Sequence, residues 1–244
     1  MANAYDWIGS SYRTHWQADP RIEAQIMDAL GDARAILNVG AGSGSYEPHD
    51  RDVVAVEPSA VMIEQRVLGS APVACASAVQ LPFGDDAFDA SMAILTLHHW
   101  PDRDIGLAEM KRVSRSRCIV LTWEPPPAPF WLTADYLPHF LEADRLLFPP
   151  WFRDDPEVRE VREVPIPHDC SDGFLCAYWR RPEAYLDPAV RGAISTFARL
   201  GGYDAGLAKL ARDLEDGSWH RRNAPLLAEE SLDLGYRLVV LGKK

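Results

Sequence analysis

The stretch Ile36-Leu37-Asn38-Val39-Gly40-Ala41-Gly42-Ser43-Gly44-Ser45 constrains this 244-residue chain more than any other. Apolar residues run into three glycines at alternate positions. That is the pattern of a buried strand breaking into a turn where backbone approaches a ligand too closely for Cβ atoms. A nucleotide-like ligand is the expectation, although an ordinary tight loop can use the same residues. The next apolar run, Val53 to Val56, ends on Glu57, where a doubly wound sheet needs an acceptor for the two ribose hydroxyls of an adenosine. Pro58 suits a first helical turn, and Pro58 to Leu68 sets Val61, Ile63 and Val67 among polar residues, so Glu57 is expected at a strand-to-helix junction.

The same alternation continues along the chain. Asp19-Pro20 caps a helix with an Ile22, Ile26, Leu30 stripe that Gly31 ends. Further strands are expected over 73–76, 89–96 and 117–123, with a helix over 101–114 turning Ile105, Ala108, Met110 and Val113 inward. Strands alternating with helices predict an α/β fold with a parallel sheet and a ligand crevice at the strands' carboxyl ends, where Gly40, Glu57, Ser77, Thr96 and Glu124 fall. Between Gly44 and Val53 there is room for only about two turns of helix, which Pro48 breaks further, so the crossover from Gly40 to Asp52 is expected to carry a stub of helix. The run Pro125-Pro126-Pro127-Ala128-Pro129 leaves the core. Seven aromatics follow within residues 130–152, as an acceptor pocket or a small satellite core would require. A sixth strand over 158–166, helices over 182–200 and 203–216 and a closing strand over 235–241 complete the reading.

Four segments in order resemble the class I S-adenosylmethionine (SAM) dependent methyltransferases. Asn38 to Gly44 is similar to their first motif and Val54 to Ser59 to the ribose-binding segment. Ala76 to Phe83 with Ala87-Phe88-Asp89 is similar to the adenine-side motif, and Leu95 to Trp100 to the segment after the fourth strand. The resemblance implies a Rossmann-like seven-stranded, mostly parallel sheet with helices on both faces, a helical cap and a reversed final strand. It divides a single domain into an amino-terminal helical arm (1–35), a SAM-binding core (36–124), a cap (125–220) and a closing strand region (221–244). It implies SAM as cofactor, held by Asn38, Gly40, Ala41, Gly42, Glu57, Pro58, Ser77, Ala78 and Leu95. An acidic residue is usual where Asn38 and Ser77 stand, so contacts to the methionine amino group and the adenine amine are expected to be weaker or water-mediated.

Methyl transfer from a sulfonium needs a placed nucleophile, and a base only when the acceptor carries a proton of high pKa. His98, then His99, then Glu124 are the candidates, since each follows a strand that ends at the crevice; a histidine there can equally shape the pocket. Tyr12 and Trp16 of the leading segment, with Trp131 and Tyr136, are the candidate acceptor pocket and lid. A net charge of −11 argues against a nucleic-acid partner. Arg112, Arg115 and Arg117 read as a solvated helix end. Cys75, Cys118, Cys170 and Cys176 lack ligand spacing, and the His168, Asp169, Cys170, Asp172 cluster comes from one turn, so no metal is expected. With no apolar run near 18 residues and no leader pattern, neither a membrane partner nor a location outside the cytoplasm is expected. The partner is then a small-molecule methyl acceptor. A nicotinamide-dependent oxidoreductase and a SAM-binding module without catalysis are the competing readings, the former opposed by the G-x-G-x-G spacing.

Overall fold

The computed structural model describes residues 17–126 and 128–242. In chain order the elements that position the site are α1 (Pro20–Leu30), β1 (Ala35–Val39), β2 (Asp52–Val56), α2 (Ala60–Glu64), β3 (Val73–Ala74), β4 (Phe88–Ile94), α3 (Arg103–Val113) and β5 (Ser114–Trp123). They are followed by α4 (Trp131–Asp135), α5 (Pro138–Leu147), β6 (Val158–Glu163), β7 (Ile166–Pro167), α6 (Pro188–Ala193), α7 (Ser195–Arg199), α8 (Asp204–Glu215), α9 (Ser218–Arg222), β8 (Ser231–Leu232) and β9 (Tyr236–Gly242). Seven strands form one sheet in the order β3-β2-β1-β4-β5-β9-β6, while β7 and β8 pair separately. The first five are parallel neighbours, and β9 runs antiparallel to both β5 and β6.

The two faces of the sheet follow from the two-residue period of a strand. Ile36, Val53, Ala90, Met92, Ile119 and Leu121 point to one side, where Ile22, Ile26 and Leu30 of α1 and the cap cover them. Leu37, Val39, Val56, Ala93 and Val120 point to the other, against Leu107, Met110 and Val113 of α3. Asp19 starts α1 by accepting the Arg21 N–H at 2.9 Å, and Pro20 follows in the first turn.

Four sequence expectations need correction. No helix crosses from Gly40 to Asp52: the segment is a chain of turns, with Gly42, Gly44 and Tyr46 all at positive φ. It is anchored instead by Glu47, which pairs with Arg66 at 2.8 Å and accepts the Ala71 N–H at 3.1 Å. In α3, Ile105 and Ala108 are exposed and Gly106 and Leu107 are buried. Gly106 packs so closely on the Trp100 ring that a Cβ would lie 2.3 Å from Cε3, which fixes the rotation of the helix. The helix expected over 182–200 is a 3₁₀ turn followed by α6 and α7, because Pro188 restarts the chain with Asp187 as its cap. The sixth strand stops at Glu163, and Ile166–Pro167 leaves the main sheet to pair with β8.

The arginines at the end of α3 are tied down. Arg112 pairs with Glu109 and Asp85, Arg115 pairs with Asp89, and Arg117 donates to the Ala29 carbonyl. The 167–172 turn ties the cap to the core in another way. Tyr46 Oη donates to Asp172 Oδ2 at 2.5 Å and accepts the Asp19 N–H at 3.3 Å, while Asp172 also accepts the Gly173 N–H. Burial pushes the Asp172 carboxyl up to about 7, although the Tyr46 hydroxyl opposes this. A carboxyl whose pKa is raised by folding holds its proton more tightly in the native state. Its contribution is therefore present at pH 4 and is lost as the pH rises through 7. Asp172→Asn should gain on the wild type between pH 4 and pH 8 by about 1–2 kcal/mol, or ~2–8 °C in Tm, read from paired thermal melts. Parallel Tm curves would remove Asp172 from this role.

Candidate active site

Two cavities meet at the carboxyl ends of β1, β2, β4 and β5. The first, with about 850 Å³ of empty space including its open mouth, lies over the glycine turn and is lined by Asn38, Gly40, Ala41, Gly42, Glu57, Pro58, Ser77, Ala78, Leu95 and His99. Every cofactor residue expected from the sequence lines it. Glu57 is the polar centre. Burial raises its carboxyl, while the Ser59 and Gly42 N–H groups, each 2.9 Å from one carboxylate oxygen, pull it down. Each oxygen retains acceptor capacity, so the buried carboxylate fits a ligand offering two hydroxyl donors side by side.

The glycine turn is exacting for two different reasons. Gly40 has φ +72°, and a Cβ there would lie 2.2 Å from Thr96 Oγ1 and 3.0 Å from Thr96 Cβ, so the threonine cannot simply rotate away. Gly42, at φ +52°, would bring a Cβ only to 3.3 Å from the flexible end of Met62. Its constraint is thus backbone conformation and the donation to Glu57. Gly40→Ala should cost on the order of 3 kcal/mol, from left-handed strain plus overpacking, and lower Tm by ~6–12 °C. Gly84→Ala, where nothing lies within 4 Å, is the matched control. Equal melts for the two variants would show that the turn has slack.

Asn38 departs from the acidic residue usual at its position, and the structure shows what it does instead. Its amide nitrogen donates to Glu47 Oε1 at 3.2 Å, which leaves the amide oxygen as its remaining acceptor. Ser77, the other departure, accepts the Val79 N–H at 3.4 Å and shapes the turn below the cavity.

The second cavity, with about 720 Å³ of empty space, is mostly apolar and is built from the core and the cap together: Leu95, His98, Trp123, Phe130, Thr133, Leu141, Asp144, Phe148, Phe174 and Tyr236 among others. Leu95 lines both cavities and is one of three non-glycine residues at positive φ among the described residues, at +51°. The two histidines divide between the cavities, His99 in the first and His98 in the second, with ring centroids 3.7 Å apart. Phe148 packs on His98 as well, with ring centroids 4.4 Å apart. Burial holds the His98 imidazole well below its usual pKa, with His99 and Arg199 adding to the effect, and brings His99 down to about 3. Both rings are neutral at physiological pH. The Nδ1 atom of His98 is shut off from solvent and has no hydrogen-bond partner among the described residues.

The comparisons agree with this geometry. The family model described as "Methyltransferase domain" matches residues 37–122. A solved structure from Anabaena variabilis ATCC 29413, a protein assigned as a methyltransferase of an antibiotic biosynthesis pathway, is 33% identical over 91% of this chain and 97% of its own, with a TM-score of 0.83. The chain belongs to the class I SAM-dependent methyltransferases. SAM is therefore its methyl donor. A structure from Thermotoga maritima, described as a possible histamine N-methyltransferase, shares the fold at 15% identity, 99% coverage of this chain, 96% of its own and a TM-score of 0.52. The rice enzyme 2-methyl-6-phytyl-1,4-hydroquinone methyltransferase 2 is 25% identical over 130 residues, 49% of this chain, which spans only 37% of that enzyme's length.

Not every predicted site residue of the methyltransferase comes to these cavities. Glu124 lines neither: its Oε2 takes Arg153 at 2.6 Å and its Oε1 takes Arg237 at 2.7 Å, around a separate polar depression. Both oxygens are thereby engaged in joining β5, β9 and the segment before β6. Trp131 and Tyr136 also line neither. Trp131 is buried with its indole N–H on the Trp179 carbonyl at 2.8 Å and its ring against Tyr185 and Trp219, and Tyr136 donates to Asp213 at 2.8 Å. They belong to the main core, in the part that the cap contributes to it. Their neighbours Phe130, Thr133 and Phe148 supply the cavity wall instead. Tyr12 and Trp16 lie outside the described residues. No group of three or more potential metal ligands occurs among the described residues, and no helix among them is long and apolar enough to cross a membrane. Thr96, expected at the crevice, lines the first cavity; sequence reasoning missed Tyr46 and Met62 there and Trp123, Asp144, Phe174 and Tyr236 in the second. Asp144, a carboxylate among apolar positions, was the one local signal.

Proposed function

We propose that the methyltransferase passes the methyl group of SAM to a small, largely apolar acceptor held in the second cavity, with His98 as the group that takes the acceptor's proton. The observation that carries this reading is the junction: Leu95 is common to both cavities, and His98, which lines the apolar one, packs its ring 3.7 Å from that of His99, which lines the other. SAM supplies an electrophilic methyl group on a sulfonium centre. Glu57 accepts from its ribose hydroxyls, and the Asn38 amide oxygen accepts from its amino group as a neutral substitute for the usual carboxylate. The glycine turn lets backbone lie against the ligand. Aromatic walls exclude water from the second cavity, and the packing of Phe148 on His98 fixes the imidazole in place. A neutral, desolvated imidazole can accept a proton without first losing one. A metabolite screen by mass spectrometry tests the reading: a small apolar compound should gain one methyl only when both SAM and the protein are present. Methylation confined to polynucleotide or protein fractions would overturn it.

A further inference from the structure

Helix α5 buries one face, and the residues at its helical spacing are Leu137, Phe140, Leu141, Asp144 and Phe148. Four are apolar, as a core-facing stripe requires, and the fifth is a carboxylate. Asp144 is only 6% exposed, yet its Oδ1 has no hydrogen-bond partner among the described residues. Arg199 Nη2 stands 3.7 Å from that oxygen, close enough for charge balance and too far for a hydrogen bond. Arg199 does not line the apolar cavity, whereas Asp144 does, together with Leu95, Trp123, Phe130, Phe148 and Phe174. A buried acceptor left unpaired is costly, and the native chain has kept one at a position where leucine would continue the stripe.

We infer that Asp144 makes this cavity selective for acceptors that carry an N–H or O–H donor on an apolar body. The inference rests on the proposed function, in that the cavity is taken as the acceptor site. The selectivity is of the asymmetric kind: a ligand that brings the donor completes the carboxylate, and an isostere that lacks it leaves a buried acceptor unpaired in the complex. Asp144 and His98 line the same cavity and are linked through Phe148, whose backbone N–H donates to the Asp144 carbonyl and whose ring packs on His98. An acceptor that reaches Asp144 with its donor group is thereby oriented toward the junction at Leu95. Asp144 is accordingly a specificity residue, not a reacting one.

Three probes of one shape decide this: p-xylene, p-cresol and p-toluidine, which differ only in a methyl, a hydroxyl or an amino group. Each is titrated calorimetrically into the protein saturated with S-adenosylhomocysteine, the demethylated donor. At least one of p-cresol and p-toluidine should bind tenfold or more tighter than p-xylene, and the stronger of the two tells whether the natural donor group is a hydroxyl or an amine. Asp144→Leu should abolish the preference, and Asp144→Asn, which keeps a neutral acceptor, should reduce it. Equal affinities in the wild type, no binding by any probe, or a preference that survives in Asp144→Leu overturns the inference. If the leucine variant does not melt cooperatively, an unreduced preference in Asp144→Asn overturns it. Failure of the broader reading looks different: a donor preference would persist while the metabolite screen showed no SAM-dependent methylation.

Discussion

His98→Ala should lower the turnover of the acceptor found by the metabolite screen by about 10²- to 10⁴-fold while changing acceptor affinity far less. The expectation rests on the place of the ring. His98 lines the apolar cavity, has its ring 3.7 Å from that of His99 and 4.4 Å from that of Phe148, and keeps a buried, unpartnered Nδ1. Its pH signature is specific. An ordinary histidine base would lose activity as the pH fell through its usual value, but burial holds His98 well below that, so the ring stays unprotonated. The rate should therefore be flat from about pH 6 to 8, with the protonation limb displaced to lower pH. His99→Ala, in the cofactor cavity, should instead act mainly through SAM affinity. A loss confined to acceptor affinity in His98→Ala would make the ring a positioning group, and no change in either parameter would remove it from the mechanism.

Glu57→Ala should weaken SAM binding by roughly tenfold to several hundredfold, because hydrogen bonds to a charged acceptor contribute about 1.5–3 kcal/mol each. The structure adds a second route to the loss. The same carboxylate holds the N–H of Gly42 and of Ser59, so its removal also releases the glycine turn and the start of α2. Glu57→Gln, which retains one acceptor oxygen, should fall between the wild type and the alanine variant. The pH dependence has a definite sign: hydroxyl donors favour the ionised carboxylate, so affinity should decline as the pH falls through the Glu57 pKa, which burial raises above the usual carboxylate value. Calorimetry on the three proteins measures both effects. Unchanged affinity in Glu57→Ala would sink the ribose assignment.

What the sequence determined by itself is the cavity over the glycine turn. A buried strand, a glycine turn and a second strand ending in a carboxylate are neighbours along the chain, and their geometry follows from backbone sterics and the two-residue strand period, which are local. All nine expected cofactor residues accordingly line one cavity. The capped first helix was legible for the same reason, whereas the reversed direction of the closing strand came from the family resemblance. The apolar cavity was decided by tertiary structure. Glu124 stands at a strand end facing the crevice in a linear reading, yet it meets Arg237, 113 residues away, and Arg153, and its charge is consumed there. Composition showed that residues 130–152 are aromatic, but Trp131, which packs inside the core, lies between Phe130 and Thr133, which line the cavity wall. Which of them faces the acceptor depends on how α4 and α5 dock on Trp179, Trp219 and Phe197, contacts made by segments far apart in the chain. The same holds for the division of His98 and His99 between two cavities, and for Asp144, whose unpaired oxygen has meaning only once the apolar walls have closed around it. Local periodicity places a side chain on a face; only packing decides what that face meets.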